Sequence, residues 1–280
     1  MGKLHVLLDS TAHIGQQILD NCPELHVVPL AVMVGEQVWP EPELSNAELF
    51  RLVTASGQHP RTSQPSPGDF LHVLQPLVDQ GCECIIITIS GGLSGTVRSA
   101  GAAVHMLNSA QVHIVDSGTT AIGMERMAQT AIELARQGLT APDIAACLQK
   151  IAAATYTMFV PDTLEYLHKG GRIGGAAALF GTILQIRPIL YLTEGKVSVL
   201  DKVRTRSRAL ARMTDELQLY GRLAYIGIVH IEAETEAVHL AEKLREQYPA
   251  VPVTVTPAGS VLGVHLGPGI VGIVFQKALD

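Results

Sequence analysis

"CECIIITISGGLSGTVRSA", residues 82–100, decides how this chain folds. Ile85, Ile86, Ile87 and Ile89 belong to an unbroken apolar run of the kind a strand buried on both faces requires. The run stops at Ser90-Gly91-Gly92, and small residues then continue with helical spacing over 95–107. A strand that breaks into glycines and restarts as a helix forms the crest of a β-α unit. Backbone N–H groups and a helix dipole there face whatever lies above the strand end.

The same alternation recurs on either side. "HVLLDS" (5–10) and "QVHIVDS" (111–117) read as strands, and a short helix is expected near "IGQQILD" (14–20). "SNAELFRLVTAS" (45–56) and "SPGDFLHVLQPLVDQG" (66–81) have helical spacing, each opened by a serine that can cap it. A further long helix is expected at 121–138, and "LHVVPLAVMV" (25–34) with "EQVWPE" (36–41) reads as a hairpin turning at Gly35. This repetition predicts a layered, largely parallel α/β sheet with ligands at the carboxyl ends of its strands.

The pattern changes near residue 155. "YTMFV" (156–160) is a strand, "TLEYLHKGG" (163–171) a short helix, and "RPILYLTEGKVSVLDKVR" (187–204) a hairpin with Glu194-Gly195 at its tip. Two helix–strand alternations follow, and "GIVGIVFQKA" (269–278) is another strand, so this half mixes hairpins with helices. The boundary is placed at the end of the "APDIAACLQKIAAAT" helix, giving domains 1–155 and 156–280.

Composition narrows the function classes. Hydrophobic residues make up 47% of the chain, charged residues 16%, and mean hydropathy is +0.26. Such a surplus serves a large core, a buried interface or an apolar cavity. The best membrane candidate, "AAALFGTILQIRPILYL" (176–192), is broken by Gln185, Arg187 and Pro188, short of the roughly 18 uninterrupted apolar residues a span needs. A net charge of −6 lacks the basic footprint of a nucleic-acid binder. "MGKLHVLLDST" reaches Asp9 before a secretory apolar core can form, and Cys22, Cys82, Cys84 and Cys147 make no CxxC pair. A cytoplasmic location with free thiols is expected, and no metal site.

Four stretches carry unusual chemistry: "RTSQPSP" (61–67), "SGGLSGT" (90–96), "LHKGGRIGG" (167–175) and "LGVHLGPG" (262–269). In the second, Thr96 is followed by Val97, which excludes a Walker loop, and the second glycine of a nucleophile elbow comes one place early. What survives is Ser94 at a strand-to-helix turn. It either caps the helix or faces a carboxylate, to which the dipole adds about 0.3–1 kcal/mol. Ser66 is the natural cap of the helix at Pro67, whereas Thr62 has no such local duty. Arg172 lies between two glycine pairs that permit close approach of another segment. His265 is either a hydrogen-bonded structural residue or a donor to a carboxylate that would raise its pKa. Asp9 and Asp116 end strands and are assigned to capping the next turn.

These landmarks, together with "LLDST", "IVDS" and "RPIL", occur in an order and spacing that resemble the DegV family of bacterial fatty-acid-binding proteins over essentially the whole chain. The resemblance implies an N-terminal Rossmann-like, largely parallel sheet with flanking helices and a C-terminal α/β domain with a mixed sheet. It implies no cofactor, but a long-chain fatty acid such as palmitate or oleate buried in an apolar tunnel. Thr62 and the Ser94-Gly95 turn are similar to the residues that hold the carboxylate, with His265 from "H-x-GPG" and Arg172 from "GGRIG" near the head group. It also implies a possible role as the non-catalytic, lipid-carrying subunit of a fatty acid kinase. Gly91 and Val264 depart from the family pattern, where Ser and Thr are common. The alternative is an enzyme: an acyl hydrolase with Ser94 as nucleophile and His265 as base, or a phosphoryl-transfer enzyme using Arg172 and His265.

Overall fold

The computed structural model describes residues 3–181 and 186–279; Gln185, one of the breaks in the apolar stretch, lies outside them. The chain begins β1 (Leu4–Asp9), α1 (Gln16–Asn21), β2 (Leu25–Val28), β3 (Ala31–Val34), β4 (Gln37–Pro40), α2 (Asn46–Ser56), β5 (Arg61–Ser63) and α3 (Pro67–Asp79). It continues with β6 (Glu83–Thr88), α4 (Thr96–Leu107), β7 (Val112–Asp116), α5 (Ile122–Arg136) and α6 (Ala141–Ala153). Then come β8 (Thr155–Val160), α7 (Glu165–Lys169), β9 (Arg187–Thr193), β10 (Lys196–Val203) and α8 (Arg206–Leu217). The last elements are β11 (Leu223–Ile231), α9 (Glu234–Gln247), β12 (Val253–Pro257), α10 (Ser260–Leu266) and β13 (Ile270–Lys277).

Two α/β domains result. In the first, β2, β1, β6 and β7 form an all-parallel sheet in that order. The apolar run of β6 is explained by its double burial: Ile85 and Ile87 face α5 and α6, while Cys84 and Ile86 face α3 and α4. In the second, the sheet order is β10-β9-β8-β13-β11-β12, parallel only between β11 and β12. One face of this mixed sheet packs against α8 and α9; the other, through Phe159, Leu190, Val229 and Val274, turns toward Ala121 and Ile122 of the first domain. The β9–β10 turn has positive φ at both Glu194 (49°) and Gly195 (72°), the type I′ geometry that suits a two-residue hairpin.

The expected 25–41 hairpin needs correction. Only β3 and β4 pair around Gly35; β2 instead runs parallel to β1. Pro29 stands at the switch, where it has no N–H to extend a ladder. Leu30 N–H, just beyond, donates to Ser10 Oγ at 2.9 Å. β3 also pairs with β5, so the proline-rich stretch at 61–67 begins as a strand rather than a loop. Ser66 caps α3 in a reciprocal capping box with Asp69.

The segment at 262–269, read as a loop, begins within α10. Val261 and Val264 bury against Val32, Val34, Leu44 and Leu49, joining this late helix to the β3–β5 sheet and α2. Glu41, only 3% exposed, holds the helix start. Its carboxylate accepts from Val261 N–H at 3.0 Å and from Ser10 Oγ–H at 2.5 Å. Burial, aided by the neighbouring Asp9 charge and opposed by those hydrogen bonds, pushes the Glu41 carboxyl up to about 7 from 4.5. The native state therefore keeps a proton that the unfolded chain releases near pH 4.5. Stability from this group is complete below that pH and is lost as pH rises through about 7, by on the order of 3 kcal/mol. Glu41→Gln removes this loss. Its melting temperature relative to the parent should climb by several degrees between those pH values, whereas a constant offset would show that Glu41 titrates normally.

Candidate functional site

The carboxyl ends of β1, β6 and β7 converge beneath the mixed sheet. Asp9, fully buried, accepts from Ile89 N–H at 2.6 Å and from Thr11 N–H at 3.1 Å. Burial raises its carboxyl to about 6 even against these hydrogen bonds. Asp116 accepts Gly91 N–H at 3.1 Å and Gly118 N–H at 3.0 Å. Both aspartates thus serve turns, as their positions suggested, and between them they anchor the 89–96 segment. Ser90 Oγ donates to Gly195 O at 2.9 Å, tying the same segment to the β9–β10 turn.

At Gly91, the first departure, a Cβ would lie 2.6 Å from the end of the Asp116 side chain, which would have to shift to admit it. Gly95 is closely approached as well: a Cβ there would displace the amide end of Gln64. Gln64 donates to Gly95 O at 3.2 Å and to Ser99 Oγ at 2.8 Å, bringing the loop after β5 onto the start of α4. Gly95 itself stands off the cavity wall, and its part is to let the two loops meet. Ser94 Oγ shares a 2.9 Å hydrogen bond with Thr96 Oγ1 and accepts from Thr96 N–H at 3.3 Å.

Thr62, Ser94, Arg172 and His265 all line one apolar cavity between the domains, with about 870 Å³ of space between atoms when its mouth is included. β5 turns Thr62 inward while Arg61 and Ser63 face solvent, and Thr62 Oγ1 meets His265 Nε2 at 2.8 Å. His265 Nδ1 is buried without a hydrogen-bond partner among the described residues, close against Gly170. A proton there would be a stranded donor. We therefore assign it to Nε2, which donates to Thr62 Oγ1 and leaves the threonine hydroxyl proton free for a third group. Arg172 donates from Nε to Leu93 O at 3.1 Å and from Nη1 to Gly170 O at 2.6 Å, bridging the end of α7 to the Ser94 turn. Burial, then the Arg172 charge and that of His59, hold His265 down at about 4, so it is neutral near pH 7.

This arrangement does not assemble a hydrolase. Among the described residues Ser94 is bonded to Thr96 rather than His265, and no carboxylate orients His265 Nδ1. No group of three His, Cys, Asp or Glu side chains suited to a metal occurs among them either. Val264, the second departure, is fully buried toward the β3–β5 sheet.

A family model described as an uncharacterised protein of the DegV family matches residues 3–278. The chain belongs to the DegV family. A DegV domain-containing protein of Listeria monocytogenes is 32% identical over 281 residues, covering 98% of each chain. Among solved structures, a DegV family protein from Thermus thermophilus, described for its fatty acid binding, is 29% identical with a TM-score of 0.89, over 99% of this chain and 100% of its own. DegV of Bacillus subtilis, described as a fatty acid binding protein, is also 29% identical, with a TM-score of 0.87 over the same shares.

Within this DegV fold, sequence reasoning missed α10, Glu41 and two threonines on the cavity wall, Thr120 and Thr157. The helical spacing of Val261, Val264 and His265 was a usable signal, obscured by Gly263 and Gly267. The electrostatics are directly testable. Proton NMR of the ring hydrogens should show His265 titrating near pH 4, and Arg172→Gln should move that midpoint upward. An unmoved midpoint would assign the depression to burial and His59 without Arg172.

Proposed function

We propose that this chain binds a long-chain fatty acid, such as palmitate or oleate, in the interdomain cavity. The observation that carries the reading is an apolar cavity bearing a Thr62–His265 hydrogen bond on its wall together with Ser94 and Arg172. In this proposal the carboxylate accepts from the Thr62 and Ser94 hydroxyls. His265 holds Thr62 in the donating orientation, and Arg172 supplies positive charge near the head group. Each buried methylene of the tail contributes about 0.8 kcal/mol before ordering costs. The tail therefore sets most of the affinity, and the polar contacts set depth and direction. The fatty acid binding described for the Thermus thermophilus and Bacillus subtilis structures supports the reading.

Its biological role is carriage of the acid in lipid metabolism, with the carboxylate presented to a fatty acid kinase subunit that brings the phosphoryl donor and catalytic groups. No helix among the described residues is long and apolar enough to cross a membrane. A cytoplasmic site of action fits that role, and a domain boundary between residues 155 and 156 belongs to the same proposal, one residue into β8.

Lipid extracted from the purified protein and identified by mass should contain long-chain fatty acid. Finding none, with no uptake of added palmitate or oleate, would overturn the proposal. Combining Thr62→Ala with Ser94→Ala should weaken binding about ten- to a hundredfold while the fold survives. Unchanged retention would remove those two residues from the site. Binding of a carboxylate beside His265 should also raise the imidazole's titration midpoint above 4.

A further inference from the structure

We propose that the wall of the cavity remote from His265 carries a subsite for a hydroxyl group on the acyl chain, and that Thr120 is the residue that recognises it; this deepens, and rests on, the fatty-acid reading above. Thr120 is 9% exposed and lines the cavity, and its Oγ1 has no hydrogen-bond partner among the described residues. The adjoining hydroxyls are already matched, since Thr119 Oγ1 and Thr157 Oγ1 bond to each other at 2.7 Å. Thr88 also has an unpartnered hydroxyl, but it does not line the cavity. Thr120 thus combines an unmet hydrogen-bonding group with a place on the wall of an otherwise apolar space.

Sheet register gives its depth. Thr157 pairs with Val274, and Phe159 with Gly272, and these four residues line the cavity. Ile270, also on the wall, opens β13 shortly after the helix that carries His265. Val274 lies four residue steps along the strand from Ile270, a run of about 14 Å. Through its bond to Thr157, Thr119 fixes the Thr119–Thr120 turn at this remote rung. A carboxylate held at Ser94 and at Thr62, which His265 orients, therefore directs the distal part of its chain toward Thr120. A plain hydrocarbon leaves the Thr120 hydroxyl unmet, whereas a hydroxyl carried in that part of the chain can exchange a hydrogen bond with it. The ligand class this favours is the hydroxylated long-chain fatty acid.

The test compares oleate with ricinoleate, which carries one added hydroxyl in the distal half of the same chain, on delipidated full-length protein by calorimetry. The parent should bind ricinoleate at least as tightly as oleate. Thr120→Val should raise the ricinoleate-to-oleate Kd ratio about tenfold, because the ligand hydroxyl then has no partner. Thr120→Ser should keep the parent ratio. Should the valine variant fail to fold, the parent alone decides by hydroxyl position. Palmitate carrying its hydroxyl next to the carboxylate should gain nothing over palmitate, while ricinoleate keeps its parity with oleate. Equal ratios in parent and Thr120→Val, or a ricinoleate penalty in the parent matching that of the α-hydroxy acid, would overturn the inference and leave fatty acid binding intact. Failure of oleate and palmitate themselves to bind would instead overturn the reading beneath it.

Discussion

A carboxylate with no access to water holds the centre of this molecule. Asp9 ends β1, and by accepting from Ile89 and Thr11 it joins the crest of one parallel strand to the turn that leaves its neighbour. The position of that turn sets everything above it. Ser94 reaches the cavity, Leu93 O receives Arg172, and Ser90 reaches Gly195 on the second domain. Burying the carboxylate costs enough to lift its pKa to about 6, and the hydrogen bonds it collects are what make the arrangement tolerable. Loss of Asp9 would leave two backbone N–H groups near the domain junction without their acceptor.

The polar groups around the cavity divide their labour. Glu41 and Asn46 fix α10, Asn46 by donating to Ala258 O at 2.7 Å, and α10 in turn sets His265. His265 sets Thr62. None of these places a net charge on the cavity wall, which Arg172 lines as a cation tied to Gly170 O. A neutral imidazole suits its buried place, since charging it there would carry a desolvation penalty beside the Arg172 cation.

Much of this was legible in the residues. The double burial of β6, the serine cap of α3 and the Glu194-Gly195 hairpin tip each follow from local rules that tertiary packing did not override. Thr62, Ser94, Arg172 and His265 were all picked out, and they do share one cavity. What failed to show was anything set by distant partners. β2 and β3 look like one strand until Pro29 and the Ser10 hydroxyl divide them between two sheets. Glu41 carries no signal of its buried role in "WPEPEL", because its donors come from residues 10 and 261. Gly95 reads as part of the carboxylate-holding turn and Gly91 as a departure from the family pattern, and only the structure shows how closely the ends of Gln64 and Asp116 approach them.

The strand order of the mixed sheet has a bearing on how the protein is made. β13, formed by residues 270–277, lies in the interior of that sheet, between β8 and β11, and α10 just before it carries His265. A ribosome that has delivered everything through β12 has therefore produced a parallel sheet able to close, beside a second sheet split at its middle. Pairings so far apart along the chain form slowly, and the apolar faces that enclose the cavity stay open to other chains in the meantime. The cavity therefore acquires its last wall, and His265 its place, only when the final strand has been delivered.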